Sequence, residues 1–209
     1  MIIWHAWQRD FLLGVVRLVA GAYPVWHGSA PGATQKIYFS NHTSHIDTLA
    51  ILAALPREIR AMVRPVAARD YWQRGRTKVH IANNLLNVVL IDRKHEGDSD
   101  PLEPVREALR LGYSIIIFPE GTRSAEALPQ PFKSGLFRLA SEFPDIELCP
   151  VYLENLQRIM PKGAIWPVPL ICKVHFGASL ALAQNEPKTE FLQRAHDAVV
   201  ALSPVRQPL

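Results

Sequence analysis

Short apolar runs alternate with amphipathic stretches along most of this chain of 209 residues. Segments such as Lys36–Ser40 and 114–118 are short and largely apolar, which is typical of strands buried on both faces of a parallel sheet. The stretches between them repeat apolar residues at helical spacing. This alternation predicts an α/β fold, a single domain in which helices flank a largely parallel, mixed sheet. The predicted strands are 36–40, 61–67, 87–93, 114–118, 147–153 and 171–176, and the predicted helices after the N-terminal one are 44–55, 100–112, 134–143 and 187–202.

One of these helices has clear signals at both ends. Asp100 is placed to be its N-cap, Pro101 its first residue and Glu103 the third position of a capping box. Gly112 is a typical stop signal. These four residues predict a helix from residue 100 to residue 112.

The N-terminal segment is the most apolar part of the chain. Nearly every residue from Phe11 to Ala22 is apolar, but Arg17 interrupts the run and Asp10 precedes it. The run is shorter than the ~20 apolar residues that a membrane span needs, and its charges argue against a signal peptide. Helical spacing and flanking aromatic residues favour a helix that lies in a membrane interface, with a helix packed on its own domain as the alternative. The spaced apolar residues are Phe11, Val15, Leu18, Val19 and Ala22, and the flanking aromatic residues are Trp4, Trp7, Tyr23 and Trp26.

Composition and charge narrow the class of partner. The chain is 48% hydrophobic and 20% charged, with 23 Lys and Arg against 19 Asp and Glu, a net charge of +4. This is not the composition of a disordered tail. The charge is too small to predict nucleic acid binding and fits an anionic surface or an anionic substrate. The N-terminal helix and the alternating strands and helices after it predict two regions, a membrane-associating helical segment at residues 1–30 and an α/β domain at residues 31–209.

The chain has two cysteines, Cys149 and Cys172, in separate apolar stretches. Neither stretch has the spacing of a redox motif or a metal site. Two buried structural thiols are therefore favoured over a disulfide or a redox site, and a reducing compartment is the default. Together with the N-terminal helix, this predicts a peripheral or monotopic protein at the cytoplasmic face of a membrane.

The first polar motif, residues 41–47, directly follows the predicted strand Lys36–Ser40. Ligands of such sheets bind beyond the carboxyl ends of the strands. An imidazole held by a carboxylate through one nitrogen offers the other as a general base, which makes His42 and Asp47 a candidate pair. A capping-box role with Ser44 explains Asp47 equally well. His45 falls in the first helical turn, where a supporting role is favoured.

Arg93 ends the second polar motif, at the end of another predicted strand. An arginine there can hold a phosphate through two parallel hydrogen bonds. An ordinary solvated arginine is the alternative.

The third motif, residues 118–124, has the sequence Phe-Pro-Glu-Gly-Thr-Arg-Ser. It begins at the last residue of the isoleucine-rich predicted strand 114–118. Gly121 would let the backbone approach a ligand, Thr122 offers a hydroxyl, and Arg123 offers a fork of donors. Glu120 can orient a substrate hydroxyl or Arg123. The alternative is a polar surface turn.

These motifs, together with the Pro150-Val151 strand, resemble in order the four sequence blocks of the glycerolipid acyltransferases, most closely those of the 1-acyl-glycerol-3-phosphate acyltransferases. The resemblance runs from about residue 36 to residue 153. It implies that His42 is the general base with Asp47 as its partner, in an α/β domain with an N-terminal helical membrane-docking element. The residues that it implies for binding the glycerol phosphate are Arg93, Glu120, Gly121, Thr122 and Arg123.

The implied activity is direct acyl transfer to the free hydroxyl of a lysophospholipid. The resemblance implies no cofactor or metal, because acyl-CoA or acyl carrier protein is the co-substrate. The implied partners are the lysophospholipid, the acyl thioester donor and the membrane surface. One departure concerns the acceptor: Asn87 replaces the glycine that usually stands six residues before the arginine of the second block. Asparagine tolerates a positive φ, so the turn can form while the identity of the lysolipid stays open.

Two other functions remain at this point. A metallohydrolase would use His42, His45 and Asp47 as ligands, but a zinc site usually needs a further well-placed ligand and the other histidines lack ligand spacing. A membrane-binding protein without catalysis is the second. The presence of the His42, Asp47, Glu120 and Arg123 side chains argues against it.

Overall fold

The computed structural model describes residues 2–28, 31–72, 79, 82, 85–92, 100–124, 126, 128–155 and 172–204. Seven strands and the helices around them form the fold. In chain order the strands are β1 Tyr23–Trp26, β2 Lys36–Ser40, β3 Val63–Ala68, β4 Val89–Ile91, β5 Ser114–Ile117, β6 Glu147–Glu154 and β7 Lys173–Phe176. The helices are α1 Ile2–Ala20, α2 Asp47–Ala54, α3 Arg57–Arg60, α4 Arg69–Trp72, α5 Glu103–Arg110, α6 Gly135–Glu142 and α7 Lys188–Ala201.

The strands form one mixed sheet in the order β1-β7-β6-β2-β5-β3-β4. Every neighbouring pair is parallel except β6 and β7. The five parallel strands from β6 to β4 therefore end at one edge of the sheet, and β7 and β1 run the other way. This confirms the predicted α/β fold with a largely parallel, mixed sheet.

The core lies on both faces of the sheet because side chains alternate along each strand. On β2, Tyr38 belongs to the cluster that includes α2, whereas Ile37 and Phe39 belong to the cluster that includes α5, α6 and α7. All five residues of β2 are buried, even Lys36, whose ammonium pairs with Glu147. This double burial explains why the central strands are largely apolar.

Two predicted helices begin later than their sequences suggested. α2 begins at Asp47 instead of Ser44, because the N–H groups of Thr43 and Ser44 donate to the Asp47 carboxylate in a turn before the helix. α5 begins at Glu103, because Asp100 instead caps a short turn by accepting the N–H of Leu102.

α1 packs against α2 through its inner face, where Leu13 is only 1% exposed. Its outer face carries four of the five apolar residues that helical spacing grouped together, and of these Phe11 and Leu18 are 66% and 85% exposed. Ala22 departs from that prediction, because it is buried beyond the end of the helix. Across the described parts of the chain, no helix is long and apolar enough to cross a membrane.

The two cysteines are buried and free, as predicted. Burial raises the pKa of the Cys172 thiol to about 12. A thiol in this state is a poor nucleophile and a poor metal ligand, which agrees with a structural role.

A buried arginine, Arg106, ties α5 to α6. The Arg106 side chain, 8% exposed, lies 2.9 Å from Asp100, 3.2 Å from Glu103 and 2.9 Å from Glu142. Asp100 also binds Arg138 of α6. These bonds, led by that of Arg138, hold the pKa of Asp100 well below its usual range.

We expect Arg106→Ala to lower the free energy of unfolding by about 2 kcal/mol, because it leaves three carboxylates close together without their shared cation. Arg110→Ala is the matched control. Its ion pair with Glu103 is 57% exposed on both sides, so its loss should change stability much less than the loss of Arg106. Urea denaturation of both variants checks this, and equal losses of stability would contradict it.

Candidate active site

The first and third motifs meet at the carboxyl ends of two neighbouring parallel strands. β2 pairs with β5, and His42 and Glu120 follow their last residues by two and three positions. Asn41 extends the pairing of β2 with β6, because its side-chain amide accepts the N–H of Leu153 at 2.8 Å and donates to the carbonyl of Leu153 at 3.4 Å. The backbone before His42 is therefore held from both sides.

The His42 imidazole is bonded to the Asp47 carboxylate. Nδ1 of His42 lies 2.8 Å from Oδ2 of Asp47, whose side chain is completely buried. The His42 ring is 19% exposed. With Nδ1 engaged by the carboxylate, Nε2 is the nitrogen that is available to a substrate.

The same carboxylate oxygen also organises the turn. Oδ2 of Asp47 accepts the N–H groups of Thr43 at 2.7 Å and Ser44 at 2.9 Å. The sequence left a capping box and orientation of the histidine as alternatives for Asp47. In the structure the carboxylate orients His42 and closes the turn before α2, while the N-cap of the helix is Ile46 instead of Ser44.

Glu120 is a buried link between the two motifs. One of its oxygens accepts the N–H of His42 at 2.7 Å, and the other accepts the N–H of Gln130 at 2.9 Å. Burial raises the pKa of this carboxyl above its ordinary value, although the two hydrogen bonds oppose the shift. Glu120 thus fixes the backbone that carries His42.

Two further contacts restrict His42. The Phe118 ring stacks on the imidazole, with 4.2 Å between the ring centroids and 17° between the planes. The N–H of Ser124 donates to the His42 carbonyl at 2.8 Å. Ring and backbone are both positioned before any substrate binds, which is the geometry that an efficient general base needs.

A cavity of about 530 Å³ lies beside His42. One part of its lining is apolar and comes from β3, β4 and β5, from the residue before α5, and from α6. The other part is polar. The apolar residues include Val66, Ile91, Leu102, Ile117 and Leu136, and the polar ones are His42, His45, Thr48, Asp70, Asp92, Arg123 and Lys133.

The structure locates most of the predicted phosphate-binding residues. Gly121, with a φ of +72°, and Arg123 line the cavity, and the Arg123 guanidinium contacts the His45 ring. Thr122 is exposed on the same turn and does not line the cavity. Arg93 lies outside the described residues.

Asn87, which stands where the family usually has glycine, adopts the positive φ that the sequence allowed. Asn87 has a φ of +49°, so asparagine occupies a left-handed position that usually favours glycine. The turn before β4 is therefore retained without the glycine.

The described part of the chain contains no group of three His, Cys, Asp or Glu side chains that could hold a metal ion. His42 and Asp47 are bonded to each other, and His45 contacts Arg123. This geometry favours a histidine–carboxylate pair over the metal site considered from the sequence.

Three residues of the site had no assigned role in the sequence interpretation. They are Asn41, which holds Leu153, Phe118, which stacks on His42, and Lys133, which lines the cavity. All three lie inside or just after the motifs. Their sequence positions are a signal, but the contacts depend on partners from other strands.

Comparisons with known proteins identify the family of the chain. The sequence model of the family described as Acyltransferase matches residues 27–154, more than half of the chain. The 1-acyl-sn-glycerol-3-phosphate acyltransferase alpha of Homo sapiens is 30% identical over 149 residues, which cover 70% of this chain and 48% of the human protein. The chloroplastic 1-acyl-sn-glycerol-3-phosphate acyltransferase BAT2 of Brassica napus is 25% identical over 180 residues, which cover 78% of this chain and 48% of that protein. The chain thus spans about half the length of these curated relatives.

A solved structure has the same fold. The crystal structure of the 1-acyl-sn-glycerophosphate acyltransferase PlsC from Thermotoga maritima superposes with a TM-score of 0.75 and 18% sequence identity, over 98% of this chain and 80% of PlsC. From the family match and the paired motifs at the sheet edge, we conclude that this chain belongs to the acyltransferase family.

Proposed function

We propose that the protein transfers a fatty acyl group from a thioester donor, acyl-CoA or acyl carrier protein, to the free hydroxyl of 1-acyl-glycerol-3-phosphate, which gives phosphatidate for phospholipid synthesis. The bond of 2.8 Å between His42 and the buried Asp47, beside a cavity with apolar and cationic walls, is the observation that carries this proposal. Several relatives are named for acyl transfer to 1-acyl-sn-glycerol-3-phosphate, which supports this acceptor.

In the first step, Nε2 of His42 takes the proton of the acceptor hydroxyl. Asp47 accepts a hydrogen bond from Nδ1 and stabilises the imidazolium that forms. The resulting alkoxide attacks the carbonyl carbon of the thioester, and a tetrahedral intermediate forms.

In the second step, the intermediate collapses and the carbon–sulfur bond breaks. The sulfur leaves and receives the proton that His42 took from the hydroxyl, so the products are an ester and a free thiol. No covalent acyl-enzyme is needed, and the sequence has no Gly-x-Ser-x-Gly nucleophile motif to form one.

The acceptor phosphate is proposed to bind at Arg123, with Arg93, Gly121 and Thr122 as its neighbours in the implied site. Arg123 lines the cavity that His42 lines, so a phosphate held there would place the hydroxyl near the base. Glu120 is proposed to act indirectly. Because its oxygens accept backbone N–H groups of His42 and Gln130, it positions the base and the turn.

The apolar end of the cavity suits an acyl chain. Ile117, Ile91 and Leu136 line it, and burial of hydrocarbon against such side chains is favourable by about 0.8 kcal/mol per methylene. No cofactor or metal enters this mechanism, and nucleic acid is not among the proposed partners.

We further propose that α1 lies on the cytoplasmic face of a membrane as a peripheral element, so that a lipid acceptor reaches the site from the bilayer. The outward side chains Trp7, Phe11 and Leu18 are 67%, 66% and 85% exposed along one helix. Arg17 lies over the Tyr23 ring at 6.0 Å, a pairing that suits the boundary between lipid and water. In this proposal residues 1–30 form the docking segment and residues 31–209 the acyltransferase domain.

Phe11→Ser combined with Leu18→Ser is expected to lower binding to vesicles of phosphatidylcholine and phosphatidylglycerol at least about tenfold, because two apolar side chains no longer enter the lipid. Leu111→Ser is the matched control. It is 66% exposed in the turn before β5, at the sheet edge opposite the site. Co-sedimentation checks this, and equal binding by the double variant and the unaltered protein would contradict the proposal.

A panel of acceptors and donors tests the proposed function. Purified protein with 1-acyl-glycerol-3-phosphate and either acyl-CoA or acyl carrier protein should form phosphatidate faster than it forms any other diacyl lipid from lysophosphatidylcholine or lysophosphatidylethanolamine. Preference for another lysolipid would replace the proposed acceptor and retain the acyltransferase chemistry.

A further inference from the structure

We propose that Lys133, whose side chain lies across Gly121, binds the phosphate of the acceptor together with Arg123. This inference rests on the proposed function, because it concerns the same acceptor site. It adds a binding residue from outside the 118–124 motif.

The backbone that carries Lys133 is fixed against that motif. The N–H of Lys133 donates to the Pro119 carbonyl at 2.9 Å, and the N–H of Gln130 donates to Glu120. Between them, the buried Phe132 ring packs edge-on against Phe39 of β2, with 6.2 Å between the centroids. The backbone of Lys133 is therefore held in a fixed position beside the 118–124 turn.

The Lys133 side chain fills the space beside Gly121. A Cβ atom at residue 121 would lie 2.6 Å from Nζ of Lys133 and 3.1 Å from its Cδ and Cε. Such distances are too short for a stable contact, so a side chain at residue 121 would push the end of the lysine away from the turn. The φ of +72° at Gly121 independently favours glycine at this position. The sequence suggested that Gly121 allows the approach of a ligand. In the structure, the group that approaches is the lysine that would hold that ligand.

The Lys133 ammonium is available for an anion. Within the residues that the structure describes, it forms no ion pair with any carboxylate. It nevertheless lines the cavity that His42 and Arg123 line. Of the two carboxylates in that lining, Asp92 is paired with Arg69 at 3.0 Å. The Lys133 side chain is exposed to solvent at the mouth of this cavity, so an anionic ligand that enters the cavity can reach its ammonium.

A phosphate monoester is the matching ligand. It carries nearly two negative charges at pH 7 and three acceptor oxygens, so one arginine neutralises only part of its charge. A guanidinium can bind two oxygens in a planar fork, and an ammonium can bind the third as a compact charge.

Steady-state kinetics of Lys133→Ala tests this inference. We expect the KM for 1-acyl-glycerol-3-phosphate to rise about tenfold or more, as for the loss of one charge-assisted hydrogen bond. The kcat and the KM for the thioester donor should stay within about twofold, because the residue contacts neither the hydroxyl nor the donor. Lys188→Ala, which removes an exposed lysine at the start of α7, is the matched control and should change none of these values.

A binding measurement separates this inference from the proposed function. Calorimetric titration with sn-glycerol 3-phosphate should give a Kd about tenfold weaker for Lys133→Ala than for the unaltered protein and Lys188→Ala. Weaker binding without any acyl transfer would support the Lys133 site and reject the proposed function. An unchanged Kd, or a raised KM for the donor alone, would overturn the Lys133 assignment.

Gly121→Ala gives an independent check through the same contact. Its methyl group would displace the Lys133 side chain, so the variant should also weaken binding of sn-glycerol 3-phosphate. The double variant Gly121→Ala with Lys133→Ala should bind about as weakly as Gly121→Ala alone, because both changes remove one interaction. Fully additive losses would contradict the proposed contact.

Discussion

His42→Ala is expected to lower kcat for acyl transfer by about 10³-fold or more, because it removes the only proposed acceptor for the hydroxyl proton. The fold should be retained. Asp47 would still accept the N–H groups of Thr43 and Ser44, and Glu120 would still accept the backbone N–H of residue 42. Turnover and circular dichroism of the same preparation measure both effects.

The matched control is His27→Ala. His27 is exposed and follows β1, which runs opposite to β2, so it lies at the other edge of the sheet. It should retain nearly full activity. Retained activity in His42→Ala, or equal losses in the two variants, would reject His42 as the base.

Asp47→Asn is expected to lower kcat by about 10²- to 10⁴-fold, as when a triad carboxylate becomes an amide. An amide cannot stabilise the imidazolium with a full charge, and it can present its NH₂ group to Nδ1 of His42, which selects the wrong tautomer. The change should also reduce stability by about 1–3 kcal/mol, because the oxygen that accepts three hydrogen bonds is completely buried.

Asp197→Asn on the exposed side of α7 is the control for Asp47→Asn, since its carboxylate is 59% exposed. Kinetics and urea denaturation of the two variants should separate them clearly. A folded Asp47→Asn protein with full kcat would show that the carboxylate only shapes the turn.

Most of the sheet was predictable because burial on both faces leaves a direct trace in sequence. β2 has the predicted bounds, and all five of its residues are buried. β1 was not predicted, because Tyr-Pro-Val-Trp contains a proline and is short, a combination that edge strands tolerate. The antiparallel pairing of β6 with β7 was also not predicted, since an apolar run carries no information about strand direction.

The candidate site likewise has contacts that were predictable from the sequence and contacts that were not. The contact between His42 and Asp47 followed from their spacing across a strand-to-helix turn, which is local geometry. The orientation of Glu120 did not, because it depends on the N–H of His42, 78 residues earlier in the chain, and on that of Gln130. Lys133 is a similar case, since only the folded turn shows that its side chain lies over Gly121. Distant partners of this kind have no sequence pattern.

The apolar residues of α1 show a different limit of prediction from sequence. Helical spacing identified an apolar face, but the sequence could not say whether that face was inside or outside. In the structure Phe11 and Leu18 face outward, while Leu13 is buried against the domain. One helix therefore has apolar residues on both faces, which explains why it is the most apolar part of the chain.

The release of thiol from the acyl donor, followed with and without acceptor, tests the central claim of direct transfer by His42 most directly. In the presence of 1-acyl-glycerol-3-phosphate, the purified protein should release one thiol for each phosphatidate formed. Without the acceptor it should release none and carry no acyl group by mass spectrometry. A burst of thiol without acceptor, together with an acylated protein, would contradict the account.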